Sequence, residues 1–184
     1  TKNYGRVWRL DVSSDNNDFA QARAETKQLM QLEYEQESDQ RLLALLSYPD
    51  MRIRQKAQFE LVKRRKDGGR IFQQAIAQQQ NQLARIHAIW GTGQLAAEDK
   101  TYGQTLEPLL QDSDPEIVAQ AAKVFGDIKY EKAGVMLMRL LSHANPRVKF
   151  FAAQSLGRIE YKQAVPALIS MLEANNDEDV YLRH

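Results

Sequence analysis

Cysteine is absent from the 184 residues. This excludes disulfides, zinc–thiolate sites, a thiol nucleophile and a C-x-x-C-H haem attachment within them, and leaves the compartment open. Glycine and proline are scarce, at nine and five. An all-β chain needs more special turns than these supply, so the composition favours helices. No run of eighteen apolar residues occurs, and nothing reads as a membrane span. No charge of one sign dominates: 25 basic and 24 acidic side chains leave a net +1, with no global field toward nucleic acid or anionic membrane. The chain opens Thr1-Lys2-Asn3 with no methionine and no signal peptide. The simplest expectation is an excised segment whose targeting information lies elsewhere.

What is present is apolar content in a repeating pattern. A hydrophobic fraction of 43% is normal for a packed chain and too high for a disordered one. Taking Ile53, Ala84, Ile117, Val148 and Val180 as anchors gives spacings of 31, 33, 31 and 32 residues, the period of a helical repeat. Three residues before the anchors stand Asp50, Asn81, Asp114, Asn145 and Asp177. A short oxygen acceptor at that place caps the free N–H groups of a starting helix. Pro115 and Pro146 follow two of the caps at the first helical position, where a missing N–H costs nothing. Four residues after the first four anchors come Ala57, Ala88, Ala121 and Ala152, on the same helix face. Leu61, Thr92, Phe125 and Leu156 lie at eight, and Gly93, Gly126 and Gly157 then read as helix C-terminal signals.

Upstream of each anchor lies another apolar segment, centred on Leu45, Ile76, Leu109, Leu140 and Leu172. Each unit therefore reads as a first helix, a short capped turn and a second helix. The expected fold is all-α, an α-α superhelix of about four to five helical hairpins with a short N-terminal extended segment. The closest internal match sets Gly126-Asp-Ile-Lys-Tyr-Glu-Lys-Ala133 against Gly157-Arg-Ile-Glu-Tyr-Lys-Gln-Ala164. With the continuation Ala164-Val-Pro-Ala-Leu-Ile-Ser-Met-Leu172, residues 40–184 resemble HEAT repeats and the HEAT repeats of phycobilisome lyases. That resemblance implies a solenoid and says almost nothing of function.

The two ends read differently. Asp177 to His184 aligns with Asn145 to Ala152, so the last second helix is expected to stop after about one turn, truncated inside the repeat. Gly5 to Asp11 alternates like a β-strand, and Ser13 to Asp18 reads as a linker before a helix capped by Asp18. The expected division is 1–17, an extended segment that could close a missing β-domain, and 18–184, the repeat domain. The Gly5-Arg-Val-Trp-Arg-Leu stretch resembles the closing strand of a sorbosone-dehydrogenase-like β-propeller. Arg54 to Leu61 and Leu83 to Trp90 resemble the HEAT segment of exported bacterial membrane-bound dehydrogenase or haem-binding proteins. The resemblance implies a periplasmic or exported parent, a possible dehydrogenase, with haem c in a domain outside these residues.

No catalytic, metal or cofactor site is expected within the chain itself. His87, His143 and His184 have no Cys or carboxylate at metal-ligand spacing, and Gly68-Gly69 and Gly91-Thr-Gly93 lack the strand-then-helix setting of a phosphate loop. Residues 51–70 carry Arg52, Arg54, Lys56, Lys63, Arg64, Arg65, Lys66 and Arg70 against only Glu60 and Asp67. This is either a solvated face or a patch for an acidic partner or nucleic acid. The stronger candidate is the second-helix face carrying Arg52, Lys56, Phe59, His87, Trp90, Lys123, Arg147 and Phe151. In a HEAT solenoid it lines the concave side, where aromatics among cations would anchor a partner; packing between repeats explains the same residues equally well. The function expected is a non-catalytic scaffold contacting a protein or neighbouring domains, with a nucleic-acid-binding module as the alternative.

Overall fold

The computed structural model describes residues 19–176, 178–180 and 182. The chain divides into two compact units, residues 1–32 and 33–184. The first contains helix α1, Ala20–Met30, which begins after Phe19 without a side-chain cap. The strand expected at 5–11, the linker and the Asp18 cap lie outside the described residues.

The second unit is built of helix pairs. A short 3-10 turn at Tyr34–Gln36 precedes α2 (Asp39–Leu45) and α3 (Met51–Lys63), then α4 (Lys66–Ala77) and α5 (Gln82–Glu98). The third pair is a 3-10 segment, Lys100–Gln111, with α6 (Pro115–Asp127). The fourth is α7 (Gly134–Arg139), continued as 3-10 through Ser142, with α8 (Pro146–Arg158). A last first-helix, α9 (Val165–Asn175), follows. No strand occurs among the described residues, and none of the described helices is long and apolar enough to cross a membrane. The first helix of the third pair winds as 3-10 around Pro108, whose missing N–H removes one α-type bond.

The second helices pack in chain order, α3 on α5, α5 on α6 and α6 on α8. Their seam is the anchor face. Ile53, Ala84, Ile117 and Val148 are fully buried, as are Ala57, Ala88, Ala121 and Ala152. Each fully buried large aliphatic or aromatic side chain stabilises by roughly 1.5–3 kcal/mol, while the alanines let the backbones approach. Closest of all is the α6–α8 contact. A Cβ on Gly126 would lie 2.8 Å from Ser155 Cα, and the Ser155 hydroxyl donates to the Ala122 carbonyl at 2.8 Å.

Two expectations need correction. Val180, the fifth anchor, is 51% exposed and lies in a turn, so its register has no buried seam among the described residues. The glycines are not left-handed helix ends either: Gly91 and Gly93 lie inside α5, Gly68 and Gly69 in the first turns of α4, and Gly126 and Gly157 in the last turns of α6 and α8. The left-handed positions fall instead on Lys129 (φ 50°) and Glu160 (φ 57°). The following amides close these ends, Tyr130 N–H to Phe125 O at 2.9 Å and Tyr161 N–H to Leu156 O at 3.0 Å. The non-glycine left-handed residues cost about 1–2 kcal/mol each.

Candidate binding surface on the second helices

The turn before each second helix sets its rotation. Asp50 Oδ1 accepts the Arg52 N–H at 2.8 Å, and Asn81 Oδ1 accepts the Ala84 N–H at 3.2 Å. Asp114 and Asn145 accept the N–H groups of Glu116 and Arg147, each at 2.9 Å. These bonds satisfy donors that a helix N-terminus leaves open. Asp177 lies outside the described residues. The side-chain hydrogen bond from Arg52 chiefly holds the Asp50 carboxyl down, to about 2.

With the helices so oriented, most of the candidate face turns toward neighbouring repeats. Gln58 of α3 donates to Gln94 Oε1 at 3.0 Å and meets His87 Nδ1 through Oε1 at 2.7 Å. With the Gln58 oxygen as acceptor, Nδ1 carries the proton. His87 is only 3% exposed, and the Trp90 ring stands edge-on to it at 5.0 Å. Trp90 Nε1 donates to Gln120 Oε1 at 2.8 Å, and Gln120 donates to Glu116 Oε1 at 2.6 Å. Arg147 reaches back to Glu116 at 2.8 Å and lies 4.9 Å over the Phe151 ring. Hydrogen bonds thus link α3 to α5, α5 to α6 and α6 to α8. Lys56 sits 5.4 Å over the Tyr34 ring, Lys123 binds Asp127 at 2.6 Å, and Arg52 binds Asp50 at 2.7 Å. Phe59 and Leu83 are the large apolar side chains this face leaves exposed, at 44% and 41%.

Burial, with the nearby Arg54 charge, pushes His87 down to about 4. In the unfolded chain its value is about 6.5. A depressed folded value means the stabilisation is complete above the unfolded value and is lost as pH falls toward the folded one. Urea unfolding is therefore expected to lose about 2 kcal/mol between pH 7 and pH 5. His87→Gln, which cannot titrate, is expected to flatten that slope; an equal slope in the variant would show another group at work.

Two buried arginines complete the seam and were not among the sequence candidates. Arg54 Nη1 donates to the Tyr48 and Pro49 carbonyls, each at 2.7 Å. Arg85 donates from Nε to the Ile76 carbonyl at 2.9 Å and pairs with Asp112. Both stand one residue after an anchor, 31 residues apart, and that recurrence was the available signal. Arg54 Nε and the Thr92 hydroxyl are buried without a hydrogen-bond partner.

The basic cluster is largely paired within the fold. Arg64 binds Asp39, Glu60 and the carbonyls of Tyr34, Glu35 and Glu37. Lys63 pairs with Glu60, Arg65 with Glu98 and Arg70 with Asp67. Donors used this way are not offered to phosphates, which weakens the nucleic-acid reading. No group of three metal-ligating side chains occurs among the described residues.

Residues 103–182 match the family of HEAT repeats. Among solved structures, the chain is similar to the complex of CpcE and CpcF of phycocyanin lyase from Nostoc sp. PCC7120. The TM-score is 0.57 at 20% identity, over 75% of this chain and 59% of that one. It thus spans less than two thirds of that relative's length. An engineered protein superposes with a TM-score of 0.53 at 16% identity, over 92% of this chain and 88% of the other. No curated protein matches the sequence. At these identities the likeness shows the HEAT-type helical-pair fold.

Proposed function

We propose that the chain is a non-catalytic helical scaffold that presents its second-helix face to a protein partner or a neighbouring domain. What carries this reading is the remainder left after the inter-repeat bonds are made. His87, Trp90, Lys123 and Arg147 are engaged within the fold, while Phe59 and Leu83 stay exposed. Large apolar side chains exposed on a polar surface are interface material. The parent we place it in is an exported redox or haem-binding protein, on the resemblance of residues 5–11, 54–61 and 83–90; the segment contributes architecture there, and the haem c belongs to another domain.

The flanking coding sequence tests the parent, with a β-propeller before Thr1 and a C-x-x-C-H after His184 expected. Absence of both removes the parent and leaves the scaffold. For the surface, calorimetric titration with the neighbouring domain, expressed separately, is expected to show binding. Phe59→Ser combined with Leu83→Ser should weaken it about tenfold or more. Both side chains are half exposed, so each substitution should change stability by only about 0.5 kcal/mol. Undiminished binding by the folded double variant would eliminate this face.

A further inference from the structure

The flank of α8 and α9 that faces away from α6 repeats, position by position, the flank that α6 and its partner use to hold α8. Adding 31 to Ala122, Lys123 and Gly126 gives Ala153, Gln154 and Gly157, and adding it to Leu137 and Leu141 gives Leu168 and Leu172. The residue types are conserved within the chain but their surroundings are not. Leu141 is 6% exposed and Leu172 is 45%. Gly126 is pressed against Ser155, whereas nothing lies within 4 Å of the place a Cβ would take on Gly157. Phe150, Ala153, Gln154, Gly157, Leu168 and Leu172 together line an open groove of about 380 Å³.

We propose that this groove is a seat for one amphipathic α-helix of a partner polypeptide, in the register in which α8 sits on α6. The established interface specifies the occupant's chemistry. Where it crosses Gly157 it must carry a small residue, serine or alanine, because Gly126 meets Ser155 at backbone distance and any larger side chain would hold the helices apart. A serine there gains a second contact, since its hydroxyl can donate to the Ala153 carbonyl as Ser155 donates to Ala122. Flanking the crossing it needs apolar side chains to cover Leu168 and Leu172. Leu182 also borders the groove, and the occupant lies alongside it. This surface is separate from the Phe59 and Leu83 face, and the proposal stands without that reading.

The probe is a labelled, hydrocarbon-stapled peptide of residues 145–161, the helix this protein already seats on α6, titrated into the full chain by fluorescence anisotropy. The staple is needed because so short a helix is marginal alone. Saturable binding below roughly 100 µM is expected. Gly157→Leu in the protein should weaken it by about tenfold or more, as should S155L in the peptide. Gly157 has open space around it, so the protein variant should fold with an unchanged or raised Tm, and Leu172→Asp offers a second, equally exposed variant. Absence of binding by the wild-type chain would overturn the proposal, and so would binding indifferent to both the Gly157→Leu and S155L changes. Sedimentation distinguishes a second copy: a wild-type dimer that Gly157→Leu converts to monomer would assign the groove to self-association and overturn the partner.

Discussion

Replacing Gly68 by alanine is expected to destabilise the protein by about 3 kcal/mol, the upper part of the usual overpacking range. The added Cβ would overlap the Leu61 carbonyl oxygen and come within 2.6 Å of the carbonyl carbon. Leu61 is fully buried in α3, and α4 begins just past that helix. The obstructing atoms are backbone, so no side chain can swing aside and the two helices must separate. Alanine in a helix gains about 1 kcal/mol over glycine, which is smaller than the overlap. For a chain of this size the Tm should fall by about 6–12 °C, readable by circular dichroism. An unchanged or higher Tm would mean that the α3–α4 junction is looser than its geometry. Gly157→Ala is the matched control, because there only the propensity gain remains.

The second large effect concerns Asp112. It pairs with Arg85, and the two side chains are 14% and 5% exposed. Asp112→Ala leaves a buried guanidinium with only the Ile76 carbonyl, and breaking such a pair costs about 3–5 kcal/mol. The pair's net contribution is a different quantity. Replacing both partners, Arg85→Met with Asp112→Leu, is expected to recover much of the loss, and chemical denaturation of the four chains separates the two. A double variant as unstable as the single one would show that Arg85 matters through its carbonyl bond instead. Burial alone would raise the Asp112 carboxyl, but the hydrogen bonds from Arg85 and the Asp114 N–H and the Arg85 charge outweigh it and hold the value down. The stabilisation is therefore full above the unfolded value of about 3.9 and is lost as pH falls through the lower folded one. This acid loss lies below the His87 window, so the two can be resolved in one pH series.

The local features were legible because their causes are local. A cap acts on amides two or three residues away, and helical periodicity places the anchor and the alanine four residues on along one face. Both are written within a single repeat, and so were the four capped second helices and their buried seam. Glycine misled for the opposite reason. Its helix-end role is local, but Gly68 and Gly126 are glycine because a different element comes to backbone distance, which one repeat read by itself does not contain. The candidate face shows the same limit. Phe59, His87, Trp90, Phe151 and the cations share helix positions that could face a partner or a neighbour. The choice depends on how far one helix is shifted along the next, and the shift observed puts Gln58 against His87 and Gln120 against Trp90.

The sequence by itself therefore determined an all-α chain of paired helices, its period and the starts of four second helices, since these follow from capping and burial within each unit. The tertiary structure alone decided which side chains are consumed between repeats and which remain, because that rests on distances between helices about 31 residues apart. It turned His87 and Trp90 inward, left Phe59 and Leu83 outward, and left Gly157 open where Gly126 is filled.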